Sequence, residues 1–95
     1  MGNLVIIARI EAKAECRALV REEAIKLIAP TRNEEGCLCY NLHQDNENEN
    51  LFIFHEIWEN AEVLVKHSQT AHFKAFQEVS KDALVDFTVN KMTQI

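Results

Sequence analysis

Two segments of this sequence are apolar on both of the faces a β-strand presents, and that constrains the fold more than any other feature. Successive side chains of a strand point to opposite faces of the sheet. In the run from Asn3 to Ile10, Leu4, Ile6, Ala8 and Ile10 share one face, while Val5 and Ile7 begin the other. In the run from Leu51 to Trp58, Phe52, Phe54, Glu56 and Trp58 share one face, and Leu51, Ile53 and Ile57 line its opposite. A sheet containing both runs has two faces to bury. Each such side chain left in water forgoes roughly 1.5–3 kcal/mol, so an uncovered face is a site of association.

The remaining pattern supplies cover for one face. From Ala14 to Ala29 the apolar period lengthens, and Cys16, Leu19, Val20, Ala24, Leu27 and Ile28 fall on one side of a helix that Pro30 is expected to stop. Arg32 to Gly36 reads as a polar connection with Gly36 at its turn. Cys37 to Gln44 is a second strand, joined to the third by the hairpin loop Asp45–Asn50, whose Asp, Asn and Glu residues read as a solvated turn. Asn60 and Thr70 are expected to cap two helical pieces, to about His67 and over roughly Ala71 to Asp82, and Leu84 to Met92 returns to strand-like alternation. The order is that of an α+β fold, the ferredoxin-like β-α-β-β-α-β arrangement: one antiparallel sheet with helices on one face, over a single domain spanning residues 1–95. The other apolar face predicts a homodimer in which two sheets pack face to face, a dimeric α/β barrel. The competing expectation is a monomer whose second face is covered by its own C-terminal tail.

Composition narrows the function. Ten Lys and Arg against fifteen Asp and Glu give a formal charge of −5, which argues against nucleic acid or an anionic membrane as partner. The longest apolar run, Leu4 to Ala8, is too short to span a bilayer, no secretory leader is evident, and Ile6 stands where a myristoylation signal wants Ser or Thr. The expected location is cytoplasmic. Three cysteines, Cys16, Cys37 and Cys39, read as reduced thiols acting as small apolar fillers. Cys37 and Cys39, two apart on a strand, are expected to share a face. With glycine only at positions 2 and 36, there is no phosphate-binding loop or nucleotide fingerprint, and no cofactor is expected.

Chemistry then falls to side chains that titrate or stack. His67 and His72 bracket the junction of the two helical pieces; a break near Ser68–Thr70 lets both point inward, and capping or core satisfaction stands beside catalysis as their role. Neither a His-x-x-x-His pair nor a Cys pair lies beside them to complete a metal site, so no metal is expected. His43 and His55 fall on the dimer-facing side with Ile53 and Ile57 and read as structural; Arg9, on that side too, is expected to pair with a carboxylate. Glu56, between Phe54 and Trp58 on the helix-covered face, needs a partner or a polar cavity, because an unpaired buried carboxylate is costly. Trp58 and Tyr40 offer flat surface with one polar atom each.

These residues carry a resemblance. Phe52-Ile53-Phe54-His55-Glu56-Ile57-Trp58-Glu59, with His67-Ser68-Gln69-Thr70-Ala71-His72-Phe73-Lys74-Ala75-Phe76, is similar to the antibiotic biosynthesis monooxygenase domain family, as is Glu34-Glu35-Gly36-Cys37 leading to Tyr40; Ala71 stands where the family usually has proline. The resemblance implies a dimeric ferredoxin-like protein with a pocket between sheet and helices. It looks most like the small quinol monooxygenases, which oxidise dihydroxy-aromatic substrates with dioxygen and without metal or flavin. It implies His67 or His72 as base or oxyanion partner, Glu56 as orienter, and Trp58, Tyr40, Phe54 and Phe73 as substrate-binding walls. Haem-degrading relatives share the tryptophan matched by Trp58, but Ala8 and Gln77 stand where their asparagine and haem-ligating histidine fall. Two further readings stay open: an isomerase of a phosphorylated quorum-sensing signal, to which Lys66 or Lys74 would contribute charge, and a non-catalytic dimeric module for a small aromatic metabolite.

Overall fold

A computed structural model describes residues 2–95. Its four strands are β1 (Leu4–Ala12), β2 (Cys37–Gln44), β3 (Leu51–Trp58) and β4 (Leu84–Met92). They form one antiparallel sheet in the order β2-β3-β1-β4. The helices are α1 (Arg17–Ile25), α2 (Ile28–Arg32), α3 (Ala61–Ser68) and α4 (Ala71–Ser80). Helices link β1 to β2 across β3, and β3 to β4 across β1. Both connections join parallel strands, and their shared right-handed sense puts the helices on one face. The fold is the expected α+β ferredoxin-like one. Its sheet is open, with β2 and β4 as free edges, so one chain does not close a barrel.

Register fixes which residues face the helices. Ile6 pairs with Glu56, Ala8 with Phe54 and Ile10 with Phe52, and all six are buried. Val20, Ala24 and Leu27 descend on them from the first helical segment and Phe76 from α4. Val5, Ile7, Ile53 and Ile57 occupy the opposite face and are only half-buried. The tail from Thr93 to Ile95 borders Val5 and Ile57 at one end of that face, and its Ile95 is fully exposed, so it provides no cover.

Three local expectations are corrected. The stretch expected to be one helix over Ala14–Ala29 is a 3-10 turn at Ala14–Cys16, then α1, then α2, and Leu19 points to solvent. Pro30 lies inside α2 rather than ending a helix. In the first turn its missing N–H forfeits no helical bond, because those donors have no partner within the helix. Cys37 and Cys39 lie on opposite faces, because a bulge at Leu38 lets Cys37 pair with Trp58 and Cys39 with Ile57. The three thiols are free.

Candidate active site

The cavity at the centre of the molecule lies between the helix-covered sheet face and the two C-terminal helices, with a volume of about 250 Å³. Its floor comes from β1 and β3, through Ile6, Ala8, Phe54 and Glu56; its walls include Tyr40, His67, Phe73 and Phe76. This lining is mostly apolar, with a carboxyl group and an imidazole as its deep polar groups. The mouth is rimmed by Val65, Phe87 and Val89, all exposed, and by Lys91. The chamber of one chain is therefore open on the β4 side.

Glu56 is 5% exposed in the middle of β3. The indole N–H of Trp58, two residues along the same face, donates to its Oε1 at 2.8 Å. Burial pushes the Glu56 carboxyl up to about 7; the Trp58 N–H opposes that shift and the charge of Glu34 adds to it. The acid form of the group therefore persists toward neutral pH. Trp58 is itself fully buried and outside the cavity lining. The expectation that it forms a ring-stacking wall is corrected: it holds Glu56 from behind.

His67 ends up in the cavity wall because of two caps. Asn60 Oδ1 accepts from the Val63 N–H at 3.0 Å and starts α3, and Thr70 Oγ1 accepts from the Phe73 N–H at 3.2 Å and starts α4. The Thr70 hydroxyl also donates to the His67 carbonyl at 2.8 Å, so the expected break between the pieces is a tied corner. The His67 ring sits between Trp58 and Phe73, with centroids 4.8 and 4.9 Å away. Burial lowers its pKa, against the raising effect of its bond to Glu34, which favours the neutral ring. His67 Nδ1 lies 2.8 Å from Glu34 Oε2. A carboxylate only accepts, so that nitrogen carries the ring proton and Nε2 keeps its lone pair.

Glu34 is the residue the sequence reading missed. It lies in the turn between α2 and β2, where its N–H donates to the Thr31 carbonyl and its carbonyl accepts from Cys37. His72 Nε2 reaches the same Oε2 at 2.6 Å. His72 is thus not a cavity residue; it is a quarter exposed and braces Glu34 from outside. The one signal available was charge in the Glu-Glu-Gly turn ahead of β2; the contact spans 33 residues and belongs to tertiary structure. Burial and the neighbouring Glu34 and Glu56 carboxylates push the Cys37 thiol up to about 11, so it stays protonated as a filler. Burial and Glu56 likewise raise Tyr40, whose ring lies 4.9 Å from Phe54 in the wall.

Other candidates lie elsewhere. His43 is exposed rather than buried, and His55 is half-buried on the far sheet face with Nδ1 3.8 Å from Cys39 Sγ. Arg9 pairs with Asp86 at 3.4 Å, as expected. Lys66 and Lys74 are exposed and outside the cavity lining, as is Gln77. Among the described residues, no helix is long and apolar enough to cross a membrane.

Comparison with known proteins agrees with this architecture. The family model described as "Antibiotic biosynthesis monooxygenase" matches residues 3–79. A Synechocystis protein, "Uncharacterized protein sll1783", is 36% identical, the match covering 85% of this chain and 55% of that protein. The chain therefore spans little more than half of that relative. "Putative monooxygenase YcnE" of Bacillus subtilis is 35% identical, with 85% of each protein covered. The crystal structure of PA3566 from Pseudomonas aeruginosa superposes with a TM-score of 0.96 at 32% identity, covering 100% of this chain and 96% of that one.

Proposed function

This chain belongs to the antibiotic biosynthesis monooxygenase family, and from that membership and the cavity we propose that it oxidises a small dihydroxy-aromatic, quinol-like substrate with dioxygen, without an organic or metal cofactor. The observation that carries the reading is that His67, its Nδ1 2.8 Å from Glu34 Oε2, and the buried Glu56 line one apolar cavity.

Each part has a role in that reaction. The apolar cavity lined by Phe54, Tyr40 and Phe73 suits one aromatic ring. His67 Nε2 accepts a phenol proton, and Glu34 stabilises the imidazolium that forms, with His72 holding Glu34 in place. The phenolate is electron-rich enough to reduce dioxygen by one electron, and recombination puts a peroxide on a ring carbon. Glu56 in its acid form donates to the departing oxygen. One oxygen atom stays on the ring, the other leaves as water, and hydroquinone plus O2 becomes hydroxyquinone plus water. Burial strengthens each of these contacts relative to water.

A second copy packed on the Val5, Ile7, Ile53 and Ile57 face belongs to the same proposal. The isomerase reading is less well supported: among the described residues, the basic side chains lining the cavity are His67 and Lys91, a poor match for a phosphate that prefers several donors. Oxygen uptake over a panel of hydroquinones, corrected for oxidation in buffer, tests the function. The chain should accelerate uptake, and His67→Ala should slow it by about 10²-fold or more. Uptake no faster than buffer across the panel, or a His67→Ala protein as fast as the parent, would overturn the proposal. Tight binding of an aromatic without turnover would leave a binding module in its place.

A further inference from the structure

Two imidazoles converge on one carboxylate oxygen, although the proposed reaction takes a proton onto only one of them. Glu34 Oε2, His67 Nδ1 and His72 Nε2 all lie within 4.8 Å of one another. The sequence reading found no third ligand beside the two histidines; the fold brings one from the turn before β2.

We propose that Glu34, His67 and His72 bind one divalent first-row transition-metal ion, of the zinc or cobalt type. The donor set is the first argument. Two neutral imidazole nitrogens and a carboxylate oxygen suit these ions and leave further positions for water, whereas calcium and magnesium want oxygen ligands throughout. The second argument is spacing. Bonds of about 2.0–2.2 Å place neighbouring ligand atoms roughly 3–3.5 Å apart. The present contacts of 2.6 and 2.8 Å need only open by several tenths of an ångström, with the two nitrogens drawing together. Preorganisation is the third. His67 is wedged between Trp58 and Phe73, and Thr70 fixes the corner between the two histidines. An ion has a way in, because the His72 side chain is 25% exposed while that of His67 is 4% exposed.

Binding rearranges protons within the rings. As the metal takes the place of each N–H proton now directed at Glu34, that proton moves to the other nitrogen of its ring. For His67 that nitrogen is Nε2, so the ion turns it from an acceptor into a donor. On the reading of His67 as base, which this consequence rests on, the metal inhibits the oxygenation rather than serving it.

Titration of chelator-treated protein with Co²⁺, followed by its visible absorption and by displacement with Zn²⁺, tests the site without reference to turnover. One ion per chain is expected to bind, and long-range ¹⁵N–¹H spectra should show the His67 proton moving from Nδ1 to Nε2. His72→Ala and Glu34→Gln should each weaken binding roughly tenfold or more, in proteins whose thermal melts show them folded. No saturable binding at one ion per chain would overturn the proposal, and so would binding undiminished in both folded variants. Either result leaves the oxygen-uptake assay free to succeed, so the two proposals fail separately.

Discussion

At the scale of single residues, the cost of the site is concentrated in Glu56. Its carboxyl has been moved from an ordinary 4.5 to about 7, and burial is the main cause. The folded chain therefore holds a proton that the unfolded chain releases above pH 4.5. Stability from this group is fully present below that value and is lost as pH rises through about 7. The change amounts to about 3 kcal/mol. Urea unfolding should show the decline between pH 4.5 and 7.5, and Glu56→Gln should flatten it. A parent protein equally stable at both ends, once other groups are matched by the variant, would show that the carboxyl is solvated. His67 has the opposite sign: its pKa is lowered, so its contribution is present above 6.5 and lost as pH falls through the folded value. Activity inherits both groups. The rate per substrate should fall on the acid side as His67 takes a proton, and on the alkaline side near 7 as Glu56 loses one. In Glu56→Gln the alkaline limb should disappear; a limb unchanged in position would remove Glu56 from the proton inventory.

At the scale of elements, two short connections hold the site, and they differ in how readily the sequence announced them. Thr70 was legible, because a hydroxyl residue ahead of an apolar period is a helix start signal. Its second bond, to the His67 carbonyl, was not, since only the packed corner creates it. Thr70→Ala should lower stability by about 1 kcal/mol, read by urea unfolding, and Thr70→Ser should recover most of it. Gly36 was legible as a turn, and the structure adds the reason it is irreplaceable. Its φ is +85°, and a Cβ there would lie 2.7 Å from a Val63 methyl. Left-handed backbone alone costs a side-chain-bearing residue about 1–2 kcal/mol, so Gly36→Ala should lose more than that in the same assay. A loss below 1 kcal/mol would mean the turn relaxes. That turn also carries Glu34, whose role no local pattern encodes. Strands and capped helices were readable because periodicity and capping are local; the Leu38 bulge, the break before α2 and the Glu34 contact were not, because each is decided by what packs across the chain.

At the scale of the whole molecule, the remaining question is what covers the far side of the sheet. Alternation in β1 and β3 was enough to expect two apolar faces, and the register places Val5, Ile7, Ile53 and Ile57 together on the side the helices leave open. That side also carries His55, opposite Ile7 on the two central strands, and the Arg9–Asp86 pair, so apolar and hydrogen-bonding side chains are interspersed across it. A face that mixes the two suits a surface that meets its own copy about a two-fold axis. Light scattering should therefore give twice the 10.9 kDa of one chain at micromolar concentration. Ile53→Asp sets a charge in the middle of the open face without touching the helix-covered core, and it should yield monomers that keep their helical circular dichroism. A parent chain that runs as a monodisperse monomer would show that this face tolerates water.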